Sequence, residues 1–375
     1  MRANALPAVL IVIAISMLTG DVEGAGRRRA VDPPAGWERP QCAVTTGTGA
    51  AALSLDGGRT VLPADRQLSE ISFTYGIAAL ERPNRFIALE NARVLLSRDA
   101  GCSWKTIGEL EDLPFPPFLT PTRGESAWAW TGNYDGLWKI DGVHVARRKS
   151  PVDGIAGLTF DPAKPESVRI AGADGSFWRS DDDGLTWEQT ATLKLEVPIL
   201  YRVAWNPADP DHAVAGTATT GALVTFDGGA TWTGSRGLSA TEGPVNAMNA
   251  VISPVDGNVV WLMAIDLDQS DAQVPSMGRH IYRSIDGGLT FEPVIDRSAA
   301  VTITNGPVMA AHPTDANRLY FVFGSYFQGY GTDLFDFDVS TGALLIHHHP
   351  FDDIDGIAFS PEDPAVMLFG LERSR

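Results

Sequence analysis

Short apolar runs recur along the chain, and each stops at a turn. Residues 155–160 (Ile-Ala-Gly-Leu-Thr-Phe) meet Asp161-Pro162. Residues 201–205 meet Asn206-Pro207, 247–253 meet Pro254, 308–311 meet His312-Pro313, and 356–360 meet Pro361-Glu362-Asp363-Pro364. Runs of this length suit strands rather than helices, and Pro and Asx residues punctuate them as turns do. Further strand-like pieces follow each opening at hairpin spacing: 168–172, 176–180 and 185–190 after the first, then 213–217, 222–225 and 231–232 after the second. The pattern predicts four strands per unit and an all-β chain.

One short pattern repeats between these strands. Ser97-Arg-Asp-Ala-Gly-Cys-Ser-Trp104, Ser180-Asp-Asp-Asp-Gly-Leu-Thr-Trp187, Thr225-Phe-Asp-Gly-Gly-Ala-Thr-Trp232 and Ser284-Ile-Asp-Gly-Gly-Leu-Thr-Phe291 share Ser/Thr-x-Asp-x-Gly-x-Ser/Thr-aromatic. A fifth copy, Ser54-Leu-Asp-Gly-Gly-Arg-Thr-Val61, lacks the aromatic, and two echoes stand at Lys139-Ile-Asp-Gly142 and Phe337-Asp-Val-Ser-Thr-Gly342. The aspartates are Asp56, Asp99, Asp141, Asp182, Asp227, Asp286 and Asp338, stepping by 43, 42, 41, 45, 59 and 52 residues. This period with strand-like flanks predicts a seven-bladed β-propeller; six or eight blades also fit, because two echoes are degenerate.

The motif has a local physical logic. Gly supplies the positive φ of a tight turn, and the Asp and Ser/Thr oxygens accept from turn N–H groups. The aromatic is expected to bury against the neighbouring unit, so Trp187→Ala or Trp232→Ala would cost about 3–5 kcal/mol. Asp56, Asp99, Asp182, Asp227 and Asp286 are therefore read as structural. The motif resembles the Asp-box, or BNR, repeat of sialidase-like and sortilin-like propellers, and the resemblance runs from about Cys42 to the end. It implies a propeller; it does not imply one activity, because that family spans hydrolases, receptors and assembly factors.

The chain begins with a turn motif lacking an opening strand and ends with an opening strand lacking a motif. Ring closure through a blade shared by both termini is the expectation, with 42–46 or 365–371 as its second strand. In such a ring the turn motifs lie on one face. The opposite face carries 131–136, 266–279 and 324–332 as second-to-third-strand loops, and 113–123 and 239–244 as crossings between blades. Function sits on variable loops of a rigid frame, so Asn133, Tyr134, Tyr326, Phe327, Gln328 and Tyr330, expected to converge on one rim, are the candidate ligand-binding residues.

Composition narrows the classes. With 29 Lys+Arg against 46 Asp+Glu the formal charge is −17, which excludes a phosphate-tracking nucleic-acid binder. Residues 6–18 form an apolar run too short to span a membrane but suited to a signal peptide, with cleavage expected after Gly24 or Gly26. The expected layout is a signal peptide and short leader over 1–26, an N-terminal extension over 27–40 and a single propeller domain over 41–375. A secreted or periplasmic monomer without membrane attachment after cleavage follows. Export permits one disulfide between Cys42 and Cys102; two free buried thiols are the alternative.

No nucleophile elbow, zincin motif, P-loop or dinucleotide fingerprint is present. Sialidase-like sites need an arginine triad, and Arg123, Arg202 and Arg279 do not have the spacing that marks one. Asp266, Asp268 and Asp271 lack the rest of a calcium loop, and His347 and His349 lack a third ligand, so no metal and no cofactor are expected. The function expected is non-enzymatic binding of an exported protein or surface glycan through the loop-rich face. A carbohydrate-active enzyme using Glu90, Asp135 or Asp174 is one alternative. A protease-directed partner or inhibitor is another.

Overall fold

The computed structural model describes residues 36–69, 71–111, 113 and 116–374; the expected leader and signal peptide lie outside them. The strands form seven sheets arranged as a seven-bladed β-propeller. Six blades are consecutive four-stranded meanders. Blade 1 runs from Gly76–Ala79 to Lys105–Glu109, blade 2 from Phe118–Pro121 to His144–Arg147, and blade 3 from Ile155–Asp161 to Glu188–Thr192. Blade 4 runs from Leu200–Asn206 to Thr233–Gly234, blade 5 from Val245–Ile252 to Glu292–Asp296, and blade 6 from Met309–Ala311 to Ala343–His349.

Blade 7 joins the chain ends. Asp353–Phe359 is its inner strand, Met367–Glu372 its second and Ala51–Ser54 its third. Ala51 pairs with Gly370 and Ser54 with Met367, which settles the closure register in favour of the C-terminal candidate. Residues 42–46 instead run along the outside, where Thr45 and Thr46 bridge Ala64 and Ser103. Cys42 and Cys102 are disulfide-bonded, which ties this segment to the turn of blade 1 across 60 residues of sequence.

The hydrophobic core lies between the blades. Seven buried clusters are present, one for each blade-to-blade interface. Middle strands are thus covered on both faces: Gly221–Thr225 and Val260–Asp266 are buried at every position. That explains the continuous apolar runs in place of polar alternation. Outermost strands such as Glu188–Thr192 are largely exposed, and their sequence signal is correspondingly weak.

The repeated turns behave as fasteners. In the blade 4 copy, Thr225 Oγ1 donates to Asp227 Oδ1 at 2.8 Å and accepts from Gly229 N at 2.9 Å. Asp227 Oδ1 accepts from Thr231 N at 2.8 Å and Oδ2 from Thr231 Oγ1 at 2.6 Å. The same bonds recur around Asp56, Asp99, Asp182 and Asp286. The motif glycine is needed twice over. Gly101 has φ +95°, and a Cβ there would lie 2.8 Å from Leu368 of blade 7.

The motif aromatics divide. Trp104 and Phe291 are buried, at 4% and 2% exposure. Trp187 and Trp232 are only half-buried: Trp187 Nε1 donates to Lys149 O, and Trp232 leans on Phe177 of blade 3 with ring centroids 5.2 Å apart. Their truncation therefore costs less than full burial implied. A second correction concerns 113–123, expected as a crossing loop: it contains Phe118–Pro121, the inner strand of blade 2, disguised by its prolines. At Asp141 and Asp338 the echoes keep the turn without the full set of bonds.

Candidate functional site

Inner strands run from the loop-rich face towards the turn-motif face. Four of them carry a register shift near their start, between Ile155 and Gly157, Leu200 and Arg202, Ala247 and Asn249, and Ile354 and Gly356. A β-bulge inserts one unpaired residue and re-aims side chains. The inserted residues are Ala156, Tyr201, Met248 and Asp355, and all four line a central cavity of about 910 Å³ at the loop-rich mouth. Its volume falls in the usual range for small-ligand sites. The wall is mainly apolar, with Ile77, Phe118, Trp130, Leu200 and Met309 among its residues; Asn133, Tyr201, Arg202 and Asp355 supply polar groups.

Arg202 and Asp355 are the charged chemistry of this cavity. Arg202, on blade 4, reaches to blade 2 and lies 4.2 Å from the Phe118 ring centroid and 5.4 Å from that of Trp130. Burial pushes its guanidinium down to about 10. Asp355 is buried at 7% exposure, accepts from Thr74 N at 3.1 Å, and has oxygens within 4.8 Å of Asp353 and Glu372. Burial first, then the Glu372 and Asp353 charges, raise Asp355 to about 8; burial raises Asp353 to about 6. Tyr75 beside them is pushed well above its ordinary value, mainly by burial.

The sequence-derived candidates spread over the loop-rich face. Asn133 lines the cavity, and Tyr134 is exposed beside it on blade 2. Tyr326, Phe327 and Tyr330 are exposed on blade 6, around a short 3-10 turn at Phe327–Gly329, in which Gln328 has φ +54°. A non-glycine residue held in that region marks local strain. Tyr330 is anchored: its hydroxyl donates to Asp333 Oδ2 at 2.6 Å, and its ring packs on Phe323 and His348. Blades 2 and 6 stand three blades apart, so the two groups flank the mouth from opposite sides instead of converging.

The carboxylates considered for catalysis are separate. Glu90 is buried at 3% exposure and is held by Thr48 Oγ1 at 3.0 Å and Arg93 Nη2 at 2.5 Å. Asp135 faces Arg147 at 3.4 Å, and Asp174 accepts from Ser176 N and Oγ within its own hairpin. None of the three lines the central cavity. Arg123 lies on the other face, paired with Glu81 beside a 430 Å³ hollow, and Arg279 bonds Asn305 Oδ1, so the three arginines form no triad. Asp266 caps the helix Leu267–Asp271, and Asp268 accepts from Thr241. His349 Nε2 bonds Gly58 O at 2.8 Å while His348 pairs with Asp333. Among the described residues no helix is long and apolar enough to cross a membrane.

Over 346 residues the chain is 42% identical to the dispase autolysis-inducing protein of Streptomyces mobaraensis, with 92% of each chain covered. It belongs to that protein's family. No family model matches the sequence. Among solved structures, a GH74 enzyme of Niastella koreensis shares the fold at TM-score 0.56 and 15% identity, over 81% of this chain and 52% of that one. A structure described as YCF48 bound to D1 peptide matches at TM-score 0.54 and 13% identity, over 88% and 99%. This chain spans about half the length of the GH74 enzyme, and at these identities the likeness shows the fold alone.

Proposed function

We propose that this chain is an exported, non-enzymatic propeller of the Asp-box lineage that binds a protein partner, a protease, through its loop-rich face and promotes that protease's self-cleavage. The observation that carries this is the 42% identity, over 92% of both chains, to a protein named for inducing dispase autolysis. It favours the protease-directed reading over glycan binding. The carbohydrate-active reading draws no support from the scattered Glu90, Asp135 and Asp174. Asn133, Tyr134, Tyr326, Phe327, Gln328 and Tyr330 are the proposed contact residues, with the exposed blade 6 aromatics as anchors.

The test is direct. Dispase is incubated with and without the purified chain, and the intact protease is followed over time by gel and by residual activity. A several-fold shorter lifetime is expected, and Tyr326→Ala with Phe327→Ala should abolish most of the effect while changing stability by less than about 0.5 kcal/mol. Unchanged dispase lifetime, together with no complex on size exclusion, would overturn the reading.

A further inference from the structure

We propose that the central cavity binds a carboxylate carried on an apolar group, with Arg202 as its anion anchor. This goes beyond engagement of a protease and does not depend on it, since the argument uses only the cavity.

Among the described residues the Arg202 side chain makes no hydrogen bond and no ion pair, although the chain holds 46 acidic residues. Its neighbours are the faces of Phe118 and Trp130, which attract a cation through their quadrupoles and hold the guanidinium plane without saturating its five N–H donors. Taking a charge from water is costly unless it is paired. A guanidinium set against two rings and open to a cavity is therefore prepared for an incoming anion, and a carboxylate matches its fork with two parallel charge-assisted bonds. Asp355 does not fill that role. It sits on blade 7, three blades from Arg202, and its own burial and acidic neighbours favour its neutral form.

The wall selects what the carboxylate is attached to. Ile77, Leu200, Met309 and Ile357 give the wall its apolar stretches, with Asn133 and Asn249 among its polar residues. The volume of about 910 Å³ and the apolar share of the lining suit a carboxylate carried on an aliphatic body. Two sources share this chemistry: the C-terminal residue of a peptide, and a free fatty or branched-chain acid.

The experiment titrates the full chain by calorimetry and Trp fluorescence with three probes: a tetrapeptide ending in leucine with a free carboxylate, the same peptide amidated, and hexanoate. The free-acid peptide or hexanoate should bind, and the amide should bind at least about tenfold more weakly, about 1.4 kcal/mol. Peptide tighter than hexanoate identifies a chain end; equal affinity identifies a small acid. Arg202→Met, which keeps the side chain's length without its charge, should lose at least tenfold for the acids and nothing for the amide. Equal affinity for acid and amide, no acid binding up to about 10 mM, or an Arg202→Met variant that binds as the parent does would each overturn the proposal. The acid–amide comparison on the unaltered chain decides the matter even where the variant fails to fold.

Discussion

The two faces of the propeller treat carboxyl groups in opposite ways. On the turn-motif face, Asp182 is half-buried and Asp227 exposed, yet both are held down to about 2, Asp182 chiefly by Thr186 N and Asp227 chiefly by the Thr231 hydroxyl. At the loop-rich mouth, Asp353 and Asp355 are pushed up to about 6 and about 8, chiefly by burial. The first set is kept ionised by donors two to four residues away in sequence, so the arrangement repeats wherever the motif repeats. In the second, burial in the assembled ring opposes ionisation, most strongly at Asp355, where the Glu372 and Asp353 charges add to it. A structural carboxylate is thus built locally and in copies, whereas the unusual one occurs once, where a bulge aims it inward.

The largest effect that sharpens this contrast lies among the motif aromatics. Phe291→Ala should cost about 3–5 kcal/mol in urea unfolding, and Trp187→Ala only about 1–2 kcal/mol, because Trp187 is incompletely buried. Equal losses would show that the turns are clamped by the motif itself rather than by the depth of the aromatic. Next in size, Asp227→Ala should cost about 1 kcal/mol at pH 7, modest because the bonds it breaks are solvent-exposed. Its folded value lies below the ordinary 3.8, so this contribution is present above about pH 4 and disappears as the pH falls towards about 2. The gap between parent and variant should therefore narrow steadily as the pH is lowered from about 4 through about 2.

A further effect has the reverse sign. Asp355 holds its proton more tightly folded than unfolded, so its contribution to stability is greatest below about pH 4 and is lost as the pH rises through about 8. Asp355→Asn keeps an acceptor for Thr74 N and removes the titration. It should leave stability at pH 4 unchanged and raise it progressively as the pH climbs from 4 through about 8. A variant less stable than the parent at pH 8.5 would show that the ionised carboxylate is stabilised at the mouth, contrary to the contrast drawn above.

Much of the frame was legible because its causes are local. Ser-x-Asp-x-Gly-x-Thr carries its own hydrogen-bond partners, and apolar runs such as 155–160 reflect strands covered on both sides. What escaped depends on pairing between distant residues. The bulges at Tyr201 and Asp355 exist only relative to partner strands, so nothing near them in sequence marked the central cavity. Arg202 looked like one of three unremarkable arginines until Phe118 and Trp130, more than 70 positions away, were placed beneath it. Glu90 looked available for chemistry because Thr48 and Arg93 were not visible as its partners. The aromatics at 326, 327 and 330 were found because exposure of loop tyrosines follows from turn residues nearby, while their distance from Asn133 required the blade count.

Closure through Ala51–Ser54 has a kinetic consequence. Synthesis delivers this segment early, but the strand that completes it, Met367–Glu372, emerges more than 300 residues later. Throughout that interval the first blade has an unsatisfied flank, and every intermediate on the ribosome or in transit is an open arc with sticky ends. The molecule therefore passes from vulnerable to sealed in one late event, and a chain cut short by even a dozen residues at its carboxyl end forfeits the latch on which the other blades rely.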